Sequence, residues 1–293
     1  MQPINSNLIL GTANFGQKYG FNQKKKLNIK NIKKIINFAN KNKINFFDTS
    51  RSYKNSEKII GGSKSRNSKI ITKVPPLPNN IKSNDIKKWL NKQISLSLKK
   101  SKVKKFYAIL LHKSEALLGK EGYKLYTALN ELKKKKLTRK IGVSIYNFNT
   151  LNSILKKFKI DVIQLPFNVF DQRLLYKKIN FYQSKPEIHI RSIFLQGLLL
   201  MNASELPRKL KNFKKFWISW NKVLDKNNMS PLNGCLNFIL NFKHKFDYIV
   251  VGCQNINQLK QIIRHKREKF PKDFYKIKIK SKKFYNPQLL GGK

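Results

Sequence analysis

The 293-residue sequence predicts an α/β fold, a closed (β/α)8 TIM barrel of eight parallel strands with surrounding helices. Three observations lead there. Eight short apolar runs alternate with amphipathic helical stretches, and parallel neighbours need a crossover connection of this kind. Several of the runs, such as Ala108-Ile-Leu-Leu111 and Tyr248-Ile-Val-Val251, are apolar throughout, as strands covered on both faces are. A doubly wound open sheet is the competing architecture, but no Gly-x-Gly-x-x-Gly follows the first strand.

The order of elements is as follows. Leu8-Ile-Leu-Gly11 is a strand, and Gly11-Thr-Ala-Asn-Phe-Gly16 is the turn after it. Residues 27–42 place Ile32, Ile35, Ile36 and Ala39 at helical spacing, with Asn28 able to cap the start. Strands are expected at 44–49, 70–74, 106–111, 140–143, 161–166, 188–194 and 248–252. Helices are expected at 85–100, 123–135, 148–158, about 171–182, 207–224, 231–242 and 256–267. Residues 1–275 read as one barrel domain and 276–293 as a basic, partly alternating tail whose last three residues fray.

Lys and Arg number 63 against 14 Asp and Glu, a net charge of +49. So basic a chain suggests a polyanion partner. Here the excess is nearly all Lys and rides with Asn, Ile and Phe along the whole length, as a bias toward AT-rich codons produces. Charge spread in this way specifies no nucleic acid. The two cysteines, Cys235 and Cys253, are too few for a disulfide framework and too far apart for a metal knuckle. The start, Met1 to Ser6, shows no signal-peptide pattern and no run of about 18 apolar residues occurs, so no membrane partner and a cytoplasmic location are expected. The oligomeric state leaves no mark on the sequence.

In a barrel of this kind the chemistry sits on the loops after the strands. Asp48 ends the second strand, Lys73 the third and His112 the fourth, and Tyr53 hangs from the loop after Asp48. Each alone has a plain explanation: a turn-ordering Asp, one Lys among many, a rim Tyr. His112 is more telling, because the chain has only 4 His and this one interrupts an apolar strand at its end.

The segment Phe46-Phe-Asp-Thr-Ser-Arg-Ser-Tyr-Lys-Asn-Ser-Glu57 resembles the Asp-Thr-Ala-x-x-Tyr-Gly-x-Ser-Glu segment of the aldo/keto reductases. Asp48, Tyr53, Lys73 and His112 match that family's catalytic tetrad in order and context. The resemblance implies reduction of an aldehyde, ketone or sugar carbonyl by NADPH, with NADH as the other possible donor, and Tyr53 as the general acid. Lys73 would lower the Tyr53 pKa, Asp48 would pair with Lys73, and His112 would aim the carbonyl. No metal is required.

The resemblance extends to the cofactor side. Gly11 and Thr12 open the barrel as in the family, Ser144 and Gln164 stand where the nicotinamide carboxamide is bound, and Ile145 replaces the Asn that often follows that Ser. Arg191 occupies the place of the Tyr that stacks on the nicotinamide, with Ser192 beside it on the pyrophosphate path. Gly252 and Gln258 match the unit that receives the adenosine phosphate, at a helix N-terminus suited to an anion. The opening, with Tyr19-Gly20 soon after, is most similar to a bacterial branch of the superfamily.

A non-catalytic nicotinamide-binding regulatory subunit on the same barrel is the alternative implied by the resemblance; an intact tetrad argues against it. The partner implied by the resemblance is a small-molecule carbonyl substrate, whose identity would be set by loops at residues 21–26, 114–120 and 201–207 and by the tail.

Overall fold

A computed structural model of the chain describes residues 4–21, 26–268 and 270–286. The strands are β1 (Leu8–Gly11), β2 (Phe46–Asp48), β3 (Lys69–Val74), β4 (Phe106–Leu111), β5 (Thr138–Ser144), β6 (Val162–Pro166), β7 (Glu187–Arg191) and β8 (Tyr248–Val251). They close in sequence order, every pairing parallel, β8 returning to β1. This is the expected (β/α)8 barrel. Around it lie α1 (Ile29–Lys41), α2 (Ser56–Gly61), α3 (Ile86–Ser101), α4 (Gly122–Lys134), α5 (Phe148–Lys157), α6 (Arg173–Tyr176), α7 (Lys214–Lys226), α8 (Pro231–Asn241) and α9 (Ile256–Arg264), with a short α10 (Lys282–Tyr285) at the end. Among the described residues no helix is long and apolar enough to cross a membrane.

Two apolar layers follow from the two periods in the sequence. Helical spacing puts Ile32, Ile35, Ile36 and Ala39 of α1 on one buried face, and the Asn28 side chain caps that helix by accepting from the Asn31 N–H at 2.7 Å. Such faces pack on the outside of the sheet. Strand alternation sends every second residue inward, where Ile9, Ile71, Ala108, Leu110, Val162 and Val250 make a separate core inside the ring. Below it, at the N-terminal ends of the strands, Glu187 gathers hydrogen bonds from Tyr107 (2.7 Å), Lys140 and His189 (3.2 Å). Two residues further along the inward face, past the apolar layer, come Asp48, Lys73 and Gln164. The strand period therefore delivers the polar groups to the C-terminal mouth.

Several expectations are corrected. The helix expected at 171–182 is only α6, because Phe181 and Tyr182 stay exposed and no further apolar face is buried. Strand β7 stops at Arg191, where Ser192 turns to a φ of 60°. The helix expected at 207–224 is split into a 3-10 turn, Arg208–Phe213, and α7. As far as residue 286 the tail is packed: Ile277, Ile279 and Phe284 are buried, and the Ile279 N–H donates to the Phe170 carbonyl at 2.9 Å. The fraying expected of Gly291 to Lys293 lies outside the described residues, as does most of the 21–26 loop.

Candidate active site

The loop after β2 is fixed before it reaches Tyr53. Ser56 Oγ donates to the Thr12 carbonyl (3.0 Å) and stands 2.7 Å from Thr12 Oγ1, while Thr12 Oγ1 donates to the Asp48 carbonyl at 2.8 Å. Glu57, buried at the start of α2, accepts from Thr72 Oγ1 of β3 at 2.8 Å, with Arg51 3.8 Å away. These ties explain the Ser-Glu pair of the motif: they bind the loop to the strands on either side. Gly16 completes the fit, because a Cβ there would lie 2.2 Å from the Tyr53 carbonyl.

The four expected side chains face one mouth. Lys73 Nζ lies 2.5 Å from Asp48 Oδ2 and donates to the Thr49 carbonyl at 3.1 Å. The second carboxylate oxygen, Asp48 Oδ1, accepts from Gln164 Nε2 at 2.7 Å. The same ammonium sits 5.3 Å from the centre of the Tyr53 ring, and the His112 ring meets that of Tyr53 edge-on, 6.0 Å between centres. His112 Nδ1 is 3.4 Å from Ser50 Oγ.

Burial governs the electrostatics. It lowers the pKa of Lys73, with Asp48 opposing, and it lowers His112 to about 4, helped by the charges of Lys73 and Arg191. His112 is therefore a neutral imidazole near pH 7. Burial and then the Asp48 charge push the Tyr53 phenol above its ordinary value, and Arg191 works against them. The charge of Lys73 is engaged by Asp48, and the cation acting downward on Tyr53 is Arg191.

Two cavities meet at Tyr53. One is a groove of about 970 Å³, including its part open to solvent, running from Asp48 and Tyr53 past Arg191 and Ser192 to Gly252 and Gln258, with Gly11 and Thr12 in its floor. The other, about 1720 Å³ on the same measure, opens over Tyr53, Lys73, His112, Ser144 and Gln164.

The individual placements differ in detail. Ser144 ends β5 beside Gln164, the two in register. The Gln164 amide is turned to Asp48, and its Oε1 is buried without a partner. Thr12 has its hydroxyl engaged with Asp48 and Ser56. Gln258 folds back to accept from the Gln254 N–H at 2.7 Å, and Asn255 caps α9 by accepting from the Gln258 N–H, so the N-terminus of α9 is partly satisfied by its own side chains. The Arg191 guanidinium lies over the Tyr146 ring at 4.2 Å.

Sequence reasoning passed over Tyr146, which lines the second cavity directly after Ile145, and Ser50, which faces His112. An aromatic just past a barrel strand was the available signal for Tyr146; Ser50 had none.

The loop after β7 is held from below and above. Trp217 and Trp220 of α7 donate to the carbonyls of Leu198 and Leu199 at 2.9 and 3.1 Å. From above, the Phe21 N–H donates to the Gln196 carbonyl at 3.0 Å. Ser192, Leu195 and Gln196 all carry positive φ, a backbone non-glycine residues rarely adopt.

The model of the aldo/keto reductase family matches residues 7–281. Among solved structures, the holo form of an aldo-keto reductase from Bacillus halodurans superposes with a TM-score of 0.72 at 17% identity, over 94% of this chain and 93% of that one. A glycerol dehydrogenase from Gluconobacter oxydans gives 0.69 at 19% identity, over 92% and 89%. At these identities the likeness is one of fold. No curated protein matches the sequence at a significant level. The family model spans the barrel from β1 past α9, and on that ground the chain belongs to the aldo/keto reductase family, oxidoreductases of carbonyl compounds.

Proposed function

We propose that the protein is an NADPH-dependent reductase converting an aldehyde, ketone or sugar carbonyl to the alcohol, with Tyr53 as the proton donor. The observation that carries this reading is the meeting of the two cavities at Tyr53, with Asp48, Lys73 and His112 packed around it. NADH is the alternative donor.

The residues present fit a nicotinamide. A buried amide oxygen without a partner is costly, and Gln164 Oε1 is such an atom on a residue lining the second cavity. A carboxamide N–H₂ is the complementary donor, and the Ser144 hydroxyl stands beside it. Ser192 and the backbone of the loop after β7 would line the pyrophosphate, and Gly11 and Gly252 leave the groove clear. When bound, the nicotinamide supplies the hydride.

The chain's own groups then handle the oxygen. Neutral His112 can donate a hydrogen bond to the carbonyl and hold it toward Tyr53. Tyr53, with its pKa raised, stays protonated at neutral pH until the more basic alkoxide develops, and donates its proton to it. Asp48 fixes Lys73, and Gln164 fixes Asp48, so the charges around the phenol do not move when charge develops.

The test is NADPH and NADH binding, followed by nicotinamide fluorescence, to the wild type and to Tyr53→Phe, with turnover then measured on small aldehydes. Binding by both proteins with turnover in the wild type alone supports the reductase. Binding without any turnover supports the regulatory-subunit alternative. Absence of nucleotide binding in both overturns the proposal.

A further inference from the structure

The second cavity, which opens over Tyr53 and His112 and is where the substrate would lie, carries an excess of positive charge next to the reacting centre. Five residues lining it are cationic, Lys18, Lys26, Lys54, Lys73 and Arg191, and none is Asp or Glu. Lysines abound everywhere on this chain, so Lys18, Lys26 and Lys54 by themselves decide little. Lys73 is neutralised by Asp48. Arg191 is different. It is one of only eight arginines among the 63 basic residues, it lines both cavities, and it is half-buried at their junction.

Among the described residues Arg191 has no carboxylate within ion-pair distance. Asp171, which it feels at longer range, is in a closer pair with Arg173 at 2.7 Å, and Asp48 is paired with Lys73 at 2.5 Å. Two of its five N–H donors are used by long bonds of 3.3 Å, to Ser192 Oγ and to the Ile145 carbonyl. The guanidinium carbon lies over the Tyr146 ring, 4.2 Å from its centre. A planar guanidinium, set over an aromatic ring and short of acceptors, is suited to a carboxylate or phosphate, which it can take with two parallel hydrogen bonds.

We infer that Arg191 is the anion-binding residue of the substrate cavity, and that the substrate is a carbonyl compound bearing a carboxylate or a phosphate. The inference rests on the carbonyl-reductase reading and names its substrate class. Lys18, Lys26 and Lys54 at the rim would draw the same anion inward.

The test separates binding from turnover. Non-reacting alcohols avoid imine formation with the many lysines, so the probes are 4-(hydroxymethyl)benzoate against its uncharged methyl ester, and glycerol 3-phosphate against glycerol. Their affinities are measured by calorimetry for the wild type, Arg191→Gln and Arg191→Lys at near-physiological salt. The expected result is at least about a tenfold preference for one charged probe in the wild type, lost in Arg191→Gln and partly kept in Arg191→Lys. The arm that shows it identifies carboxylate or phosphate.

Equal affinity within both pairs in the wild type overturns the inference. So does a preference that persists in Arg191→Gln, which would assign the charge effect to the rim lysines and leave Arg191 to the cofactor. NADPH oxidation with 4-carboxybenzaldehyde is scored separately. A charge preference without turnover leaves the anion site standing and removes the reductase reading.

Discussion

Lys73 and Asp48 form an ion pair of 2.5 Å in which 2% and 6% of the respective side chains are exposed. Burying two charges is costly unless each satisfies the other, and leaving one alone costs more than removing both. Asp48→Asn, which keeps the shape and removes the charge, is expected to destabilise the barrel by about 3–5 kcal/mol, and Lys73→Met by a similar amount. The double variant should recover a large part of the sum. Urea denaturation of the four proteins checks this, and strictly additive losses would contradict the pairing.

His112 titrates in the folded protein near pH 4, below its ordinary 6.5. Between these values the unfolded chain binds a proton that the folded chain does not, so the contribution of His112 makes stability fall as pH drops from 6.5 toward 4. In His112→Gln that part of the slope should vanish. Denaturation midpoints taken at half-unit steps of pH would show it. Above pH 6.5 the ring is neutral in both states, and no break in turnover from His112 is expected there.

Glu187 at the other end of the barrel also makes stability fall as pH drops, in a lower window and because its charged form is the favoured one. Burial alone would raise its pKa, but hydrogen bonds from His189, Lys140 and Tyr107 together outweigh it and hold the carboxylate at about 2, against an ordinary 4.5. Its stabilisation is complete above pH 4.5 and is lost as pH falls through 2. Glu187→Gln should therefore be less stable than the wild type at pH 7, the gap closing toward pH 2. A gap that is constant with pH would show that the charge is not responsible.

Gly20 has a φ of 91°, and a Cβ there would meet the Gln196 carbonyl at 2.9 Å. That carbonyl is where the loop after β1 clasps the loop after β7. Gly20→Ala should cost about 1 kcal/mol or more, lowering the melting temperature by roughly 2–4 °C. The greater effect should be on function, with NADPH affinity reduced several-fold because the clasp borders the groove. Fluorescence titration beside a thermal scan distinguishes this from general destabilisation.

The alternation of strands and helices could be read directly, because covered parallel strands are apolar throughout and helices of the outer layer repeat at 3.6. The tetrad was legible for a related reason: a polar residue ending an apolar strand is conspicuous, and Asp48, Lys73 and His112 do so on three successive strands. What the sequence hid are relationships without a local period. The bond between Gln164 and Asp48 joins residues 116 apart, and nothing near either one announces the other. The contact of Arg191 with Tyr146 pairs the end of β7 with the loop after β5. In the tail, Ile277, Ile279 and Phe284 do carry a signal, but the lysines between them dominate the composition. In residues 171–182 the reverse happened: a helix was expected as far as Tyr182, and Phe181 and Tyr182 are exposed.

The Gln164 to Asp48 bond also bears on how the molecule assembles. Strands β2 and β6 lie on opposite sides of the ring, so this bond crosses the interior. A nascent chain ending after β4 would already possess Asp48, Tyr53, Lys73 and His112, yet the carboxylate would have one oxygen facing an unfinished lumen. The second half of the chain thus brings the tie that locks the first half, together with Ser144 and Arg191. During refolding, secondary structure should return ahead of nucleotide binding, because contacts so distant in sequence are the last to be made.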